Sequence, residues 1–308
     1  MGVLEREEER RKEECVTVRR LSGDNASLRI KQLEGISIVE DQEKTTSWYQ
    51  QNAFEVLLEF QRVCEELGLR YYLHGGTLLG AIRHKGFIPW DDDIDVAMPR
   101  EDYDKLAKAG PKYFSEGYFY QDYHTEPNFP HYFSRLRKRG AAVDTILMAT
   151  IKMEHGWFID IFPLDPCPDG DKAATRFFQG MNFFRYAILA RVSTEFAYPC
   201  NKHYVRFLLF NVLKRFPNRW LFFLRECFRK TMGRFSTGNR LCTVGGAYDY
   251  PREAYRAEWW REVVPVQFEG HTFPAPDGWD TYLRSVYGDY MILPPQEERK
   301  GHDVMMVE

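Results

Sequence analysis

No C-x-x-C pair occurs anywhere in the 308 residues, and the six cysteines (Cys15, Cys64, Cys167, Cys200, Cys227 and Cys242) stand far apart. That spacing supports neither a zinc ribbon nor a disulfide framework, and it predicts reduced thiols in a cytoplasmic protein. Nor is there an uncharged stretch of the roughly 18 residues needed to cross a bilayer. The run from Tyr71 to Ile82 stops at Arg83. The opening residues, Met1 to Glu7, are charged at once and lack the apolar segment of a secretory signal, so export by that route is not expected. No internal repeat is visible at solenoid or propeller periods. What the chain does have is a globular composition, 44% hydrophobic, 28% charged and 16% aromatic, which excludes collagenous and mostly disordered readings. A chain of this length buries about three quarters of its extended surface on folding.

Net charge is only −3, but it is unevenly spread. Ten Lys and Arg between Lys202 and Arg240 face the single Glu226, a balance of +9, so the rest of the chain carries −12. Aromatic residues, among them Tyr204, Phe207, Phe210, Phe216, Trp220, Phe222 and Phe223, interleave with these cations. Such a surface suits peripheral contact with an anionic membrane, at the inner face of the cytoplasmic membrane; the plain alternative is a helical cap with solvated cations. Nucleic acid is not expected, because no DNA- or RNA-binding motif accompanies the charge.

Four regions follow from the patterning. Residues 1–46 begin as a dense mixture of charges and read as a tail. Residues 47–170 interleave helices and strands and form the expected catalytic core. An amphipathic helix from Ser47 carries Phe54, Leu57, Leu58, Val63, Cys64 and Leu67, with Gly68 as its left-handed stop. A short strand, Leu69 to His74, leads into Gly75-Gly76, after which Thr77 can cap a helix from Leu78 to Arg83. Further strands are expected at Ile94 to Met98, Tyr132 to Arg137 and Gly156 to Phe162. The last should leave its sheet at Pro163-Leu164-Asp165-Pro166. Pro99 opens a helix, Arg100 to Ala109. Residues 171–240 are helical, basic and aromatic, divided at Pro199 and Pro217. Residues 241–308 read as a loop-rich segment, punctuated by Pro265, Pro274, Pro276 and Pro294-Pro295, that closes the site.

Chemistry concentrates in two places. His74-Gly75-Gly76-Thr77 puts two glycines at a strand-to-helix junction, where the backbone can approach a ligand and helix-start amides attract phosphate. Then comes Asp91-Asp92-Asp93-Ile94-Asp95, in which Asp93 and Asp95 alternate toward one side and can hold one divalent cation, magnesium or manganese by the hardness of their oxygens. Asp160, flanked by Ile159 and Ile161, points away from two apolar neighbours and offers a third carboxylate. Alternatives stand beside each: a solvated acidic turn, and a buried pair between Asp160 and an arginine. An EF-hand is excluded, since the position that needs glycine is Val96 and the twelfth is Asp102. Trp90, Arg83, His84 and Lys85 lie between the glycines and the acidic run, and the three basic residues can bind donor phosphates or form a solvated helix end. Arg135 and Arg137 admit the same two readings. Should the substrate carry a quaternary ammonium, Trp90, Tyr120, Tyr123 and Trp157 are candidate aromatic walls.

Residues 71–106 (YYLHGGTLLGAIRHKGFIPWDDDIDVAMPREDYDKL), 157–165 (WFIDIFPLD) and 287–295 (YGDYMILPP) resemble the three signature stretches of the LicD family, which includes bacterial phosphocholine transferases and is related to fukutin-related protein. The resemblance implies an α+β protein with a polymerase-β-like nucleotidyltransferase core, a mixed sheet with flanking helices, plus a helical insertion. It also implies a divalent metal and transfer of a phospho-alcohol from a CDP-linked donor to a glycan or lipid-linked glycan acceptor, with release of CMP. On that pattern Gly75, Gly76 and Thr77 match the phosphate loop, Asp93 and Asp95 the metal pair, and Asp160 the third carboxylate, which either shares a second metal or accepts the proton of the acceptor hydroxyl, with Asp91 and Asp92 in the same acidic run. Two rivals remain: a glycosyltransferase using the same D-x-D pair on a nucleotide sugar, and a non-catalytic glycan- or membrane-binding module.

Overall fold

The computed structural model describes residues 42–141, 143–192, 212, 215–299, 301 and 304–306. The helix expected over Tyr204 to Leu213, the division at Pro199 and nearly all of the N-terminal tail lie outside the described residues. The long helix α1 spans Gln42–Leu67, beginning before the expected Ser47, and stops where Gly68 takes φ +64°. Its buried stripe, Tyr49, Ala53, Val56, Leu57, Phe60, Val63 and Cys64, recurs every three or four residues and packs on a sheet.

That sheet is mixed. Strands β1 (Tyr72–Leu73), β2 (Asp95–Pro99), β3 (Tyr118–Gln121), β4 (Ser134–Lys138) and β6 (Trp157–Pro166) lie in the order β1-β2-β6-β4-β3, with only β2 and β6 parallel. Helix α2 (Gly75–Arg83) links β1 to β2, and α3 (Arg100–Ala109) follows β2. One sheet face, with Val96, Met98, Leu136, Ile159 and Ile161, joins α1 and α3 in the main apolar core. By strand alternation, the other face carries Asp95, Arg135, Arg137, Phe158 and Asp160. Strand β5 (Val143–Thr145) pairs with β11 (Val304–Met306).

Two proline expectations are corrected. The chain does not leave the sheet at Pro163; β6 continues to Pro166, pairing first with β2 and then with β7 (Arg240–Cys242), which pairs with β8 (Ala254–Arg256). The Asp160 N–H donates to Ile94 O on the β2 side. Alternation therefore puts the missing N–H of Pro163 on the opposite side, in the gap where β4 has ended and β7 has not begun. The C-terminal region is likewise more regular than its prolines suggested. Strands β9 (Val263–Phe268) and β10 (His271–Pro276) form a hairpin with Pro265 opposite Pro274, turning through Glu269 and Gly270, both at positive φ. An isolated two-stranded ribbon has an outer edge, where proline removes no ladder bond.

Helices α4 (Asp171–Val192) and α5 (Asn218–Gly233) pack on each other beyond β6, and α6 (Trp279–Tyr287) follows the hairpin. Among the described residues no helix is long and apolar enough to cross a membrane.

Candidate active site

The two acidic signals meet. In the β2–β6 ladder Asp95 is the register partner of Asp160, and on the other side of β6 Asp160 is the partner of Arg135. Adjacent strands lie about 4.8 Å apart, so the three side chains form one row across the sheet. Asp95, Asp93, Asp92 and Asp91 are half-buried, whereas Asp160 is buried.

Helix α2 begins at the glycines themselves, with His74 as the extended residue before it, so Thr77 is not the cap expected from the sequence. Thr77 is buried and its hydroxyl accepts the Asp95 N–H at 2.8 Å, bolting the helix to the first residue of β2. Gly75 takes φ +53°, and a Cβ there would lie 3.1 Å from Asp95 Oδ2. A Cβ on Gly76 would come within 2.7 Å of Asp91 Oδ2. Both glycines thus let the acidic segment close against the helix start. Gly75→Ala combines left-handed strain of about 1–2 kcal/mol with displacement of the Asp95 carboxylate. We expect a lowered melting temperature, read by thermal unfolding.

The arginine reading of Asp160 is the one observed. Arg135 Nε meets Asp160 Oδ1 at 2.6 Å and its Nη1 meets Asp144 Oδ1 at 2.8 Å. Arg137 Nη2 contacts Asp144 Oδ2 at 2.6 Å, and His155 Nδ1 lies 3.0 Å from the same oxygen. Arg135 sits over the Phe158 ring at 3.9 Å. Neither arginine is on a solvated strand; both are buried. Burial pushes the Asp160 carboxyl up against the pull of Arg135. Burial also opposes ionisation of Asp144, yet Arg137, Arg135 and His155 hold its carboxyl well below the usual carboxylate range. Burial pushes Arg137 down to about 10. Among the described residues no group of three or more His, Cys, Asp or Glu side chains is gathered to hold a metal ion. The third carboxylate answers to a guanidinium.

Asp165 is the same kind of group: burial raises it, and Arg100 and Arg229 more than offset that, leaving its carboxyl lowered. The unfolded chain takes up protons at Asp144 and Asp165 near pH 4 while the native protein does not. Stability conferred by these pairs is therefore present above about pH 4 and lost as the pH falls below it. Denaturant unfolding between pH 6 and pH 3 should show this slope, and Asp144→Asn should make it shallower.

The other expected site residues are brought near but given varied tasks. Arg83 donates to Tyr290 O at 2.7 Å, tying α2 to the C-terminal region, and its pKa is lowered first by burial and then by Arg299. His84 lies edge-on to Trp90 at 6.4 Å, and Trp90 in turn faces the Arg299 guanidinium at 5.2 Å. Lys85 is exposed, at φ 62°, and its carbonyl accepts the Glu269 N–H. Of the proposed aromatic walls, Tyr120 is on the core face and donates to Ser134 Oγ, Tyr123 covers Arg225, and Trp157 packs edge-on against Trp48 and Tyr49.

Aromatic and polar groups of the C-terminal region close on the same helix start. The Tyr282 hydroxyl accepts the Gly75 N–H at 3.1 Å, and the Tyr287 hydroxyl lies 3.8 Å from where a Gly75 Cβ would be. The buried His74 ring, its pKa pushed down to about 3 by burial, lies among Phe162, Tyr255, Trp260 and Tyr282. Beneath it Tyr255 and Thr243 both donate to the buried Glu253. Tyr287 lies within a stretch that resembled the family; nothing local marked Tyr282 or Glu253.

A mixed sheet with a glycine-headed helix closing on paired aspartates is thus the framework, and residues 68–200 match the family described as LicD/FKTN/FKRP, nucleotidyltransferase domain. Over 259 residues, 81% of this chain and 92% of its relative, the sequence is 30% identical to the lipopolysaccharide cholinephosphotransferase LicD of Haemophilus influenzae. The chain belongs to the LicD family. It is also 55% identical over 40 residues to the ribitol 5-phosphate transferase FKRP of Homo sapiens, a match covering 13% of this chain and 8% of that protein.

Proposed function

We propose that this protein transfers a phospho-alcohol, phosphocholine foremost, from a CDP-linked donor to a hydroxyl of a cell-surface glycan precursor, free or lipid-linked, and releases CMP. The observation that carries the reading is the register pair Asp95 and Asp160 beside the Gly75-Gly76 helix start, in a chain alike over most of its length to a cholinephosphotransferase. On this reading the sheet is a polymerase-β-like nucleotidyltransferase core and the enzyme works from the cytoplasmic side of the membrane.

The donor set suits a magnesium or manganese ion. Asp93 and Asp95 supply hard oxygens, and such ions are held by one or two carboxylates plus substrate phosphates rather than by closed protein cages. When bound, the ion supplies positive charge against the donor diphosphate. The chain's own groups do the rest. First-turn N–H groups of Gly76 and Thr77, which have no intrahelical acceptor, can meet phosphate oxygens. Asp160, whose proton affinity is raised by burial, takes the proton of the acceptor hydroxyl as its oxygen forms the new P–O bond. The bond from that phosphorus to the CMP oxygen breaks, and CMP leaves with the electron pair. Arg135 is a positioning residue that fixes the Asp160 carboxylate.

A donor panel tests the reading. CMP released from CDP-choline faster than from CDP-ribitol or CDP-glycerol supports it. Release of a nucleoside diphosphate from a nucleotide sugar, with no CMP from any of the three, would assign the site to glycosyl transfer instead.

A further inference from the structure

We propose that the solvent face of α5 is a docking surface for an anionic lipid bilayer. Helix α5 is held firmly by its inner face: Leu221, Phe222 and Arg225 are buried, Arg225 donates to His131 O at 3.1 Å, and Phe222 stacks on Tyr123 at 4.8 Å. The outer face is not polar, as a solvated helix would require. Trp220, Phe223 and Leu224, at positions i, i+3 and i+4, are 50%, 56% and 39% exposed, and Phe216 just before the helix is 44% exposed. Trp220 and Phe223 pack edge to face at 6.1 Å, forming one continuous apolar stripe. Among the described residues, six of the twelve exposed large hydrophobic side chains fall between Val212 and Phe235. That clustering separates the stripe from singly scattered surface apolar residues.

The charge around the stripe selects the partner. Arg215, Arg219, Lys230 and Arg234 are exposed, and none forms an ion pair with a described residue. The one acid of the helix, Glu226, is already paired with Arg229. Tryptophan and phenylalanine on one face, with cations alongside and no competing carboxylate, match the interfacial zone of a bilayer rich in anionic headgroups. A second copy of this chain would bring the same uncompensated cations against one another. Nucleic acid would leave Leu224 and Phe216 without a partner.

Vesicle flotation of the full chain is the test. The chain should float with phosphatidylglycerol-containing vesicles and stay behind with pure phosphatidylcholine. Each cation removed (Arg219→Gln, Lys230→Gln) should weaken partitioning about fivefold, following a surface attraction of about 1 kcal/mol per basic residue. Trp220→Ser with Phe223→Ser, both solvent-exposed, should abolish flotation while leaving CMP release with a soluble acceptor unchanged. Equal flotation on neutral and anionic vesicles, or flotation unaffected by these variants, overturns the proposal. So does a chain that ignores vesicles but dimerises through Phe223 in sedimentation, or that binds single-stranded RNA through the same residues.

Discussion

Arg135→Met is expected to destabilise the protein by about 3–5 kcal/mol, because it leaves two carboxylates, Asp160 and Asp144, in the interior with their shared cation gone. For a chain of this size that corresponds to a melting temperature lower by roughly 5–8 °C. Asp144 keeps Arg137 and His155 and remains partly compensated. Among the described residues Asp160 has no second cation at hydrogen-bond distance, so its already raised pKa should climb further. The expected signature is therefore double: reduced stability, and an activity profile whose acidic limb moves to higher pH. A merely structural arginine would give the first without the second. Arg135→Lys, which keeps the charge but loses the bidentate fork, should recover part of the stability and little of the geometry.

Asp95→Asn is expected to lower turnover by about a thousandfold or more, equivalent to roughly 4 kcal/mol of transition-state stabilisation, with no change in melting temperature beyond a degree or two. The Asp95 backbone N–H, which anchors Thr77, is untouched by the substitution, so the helix start should stay in place. Michaelis constants and rates measured together separate the roles. A loss confined to KM would mean that Asp95 only helps to bind the donor, whereas an equal fall in kcat and kcat/KM would place its contribution in the transition state.

What could be read from the sequence was what depends on near neighbours. The stop at Gly68 and the start of α3 after Pro99 are properties of a few consecutive residues, and both could be anticipated. Asp160 could be singled out because Ile159 and Ile161 flank it. Its partner could not, because Arg135 reaches it only through the register of β4 against β6, and no periodicity within either strand fixes that register. Thr77 was misjudged for a related reason. Its hydroxyl has an acceptor role toward β2, eighteen residues on, that outweighs the local capping preference. Tyr282 is further still from Gly75, by 207 residues. Pro163 shows the same limit from the other side: proline ordinarily ends a central strand, and here it is accommodated because two neighbouring strands leave a gap opposite its nitrogen.

On the proposed function, the acidic segment at the head of β2 and the glycine helix start together hold a nucleotide diphosphate. Calorimetric titration of CDP-choline into the protein, with magnesium and with chelator, addresses it without requiring turnover or a known acceptor. The expected result is binding that needs the divalent ion and disappears in Asp95→Asn. Equal affinity with and without magnesium, or full binding retained by the variant, would contradict it.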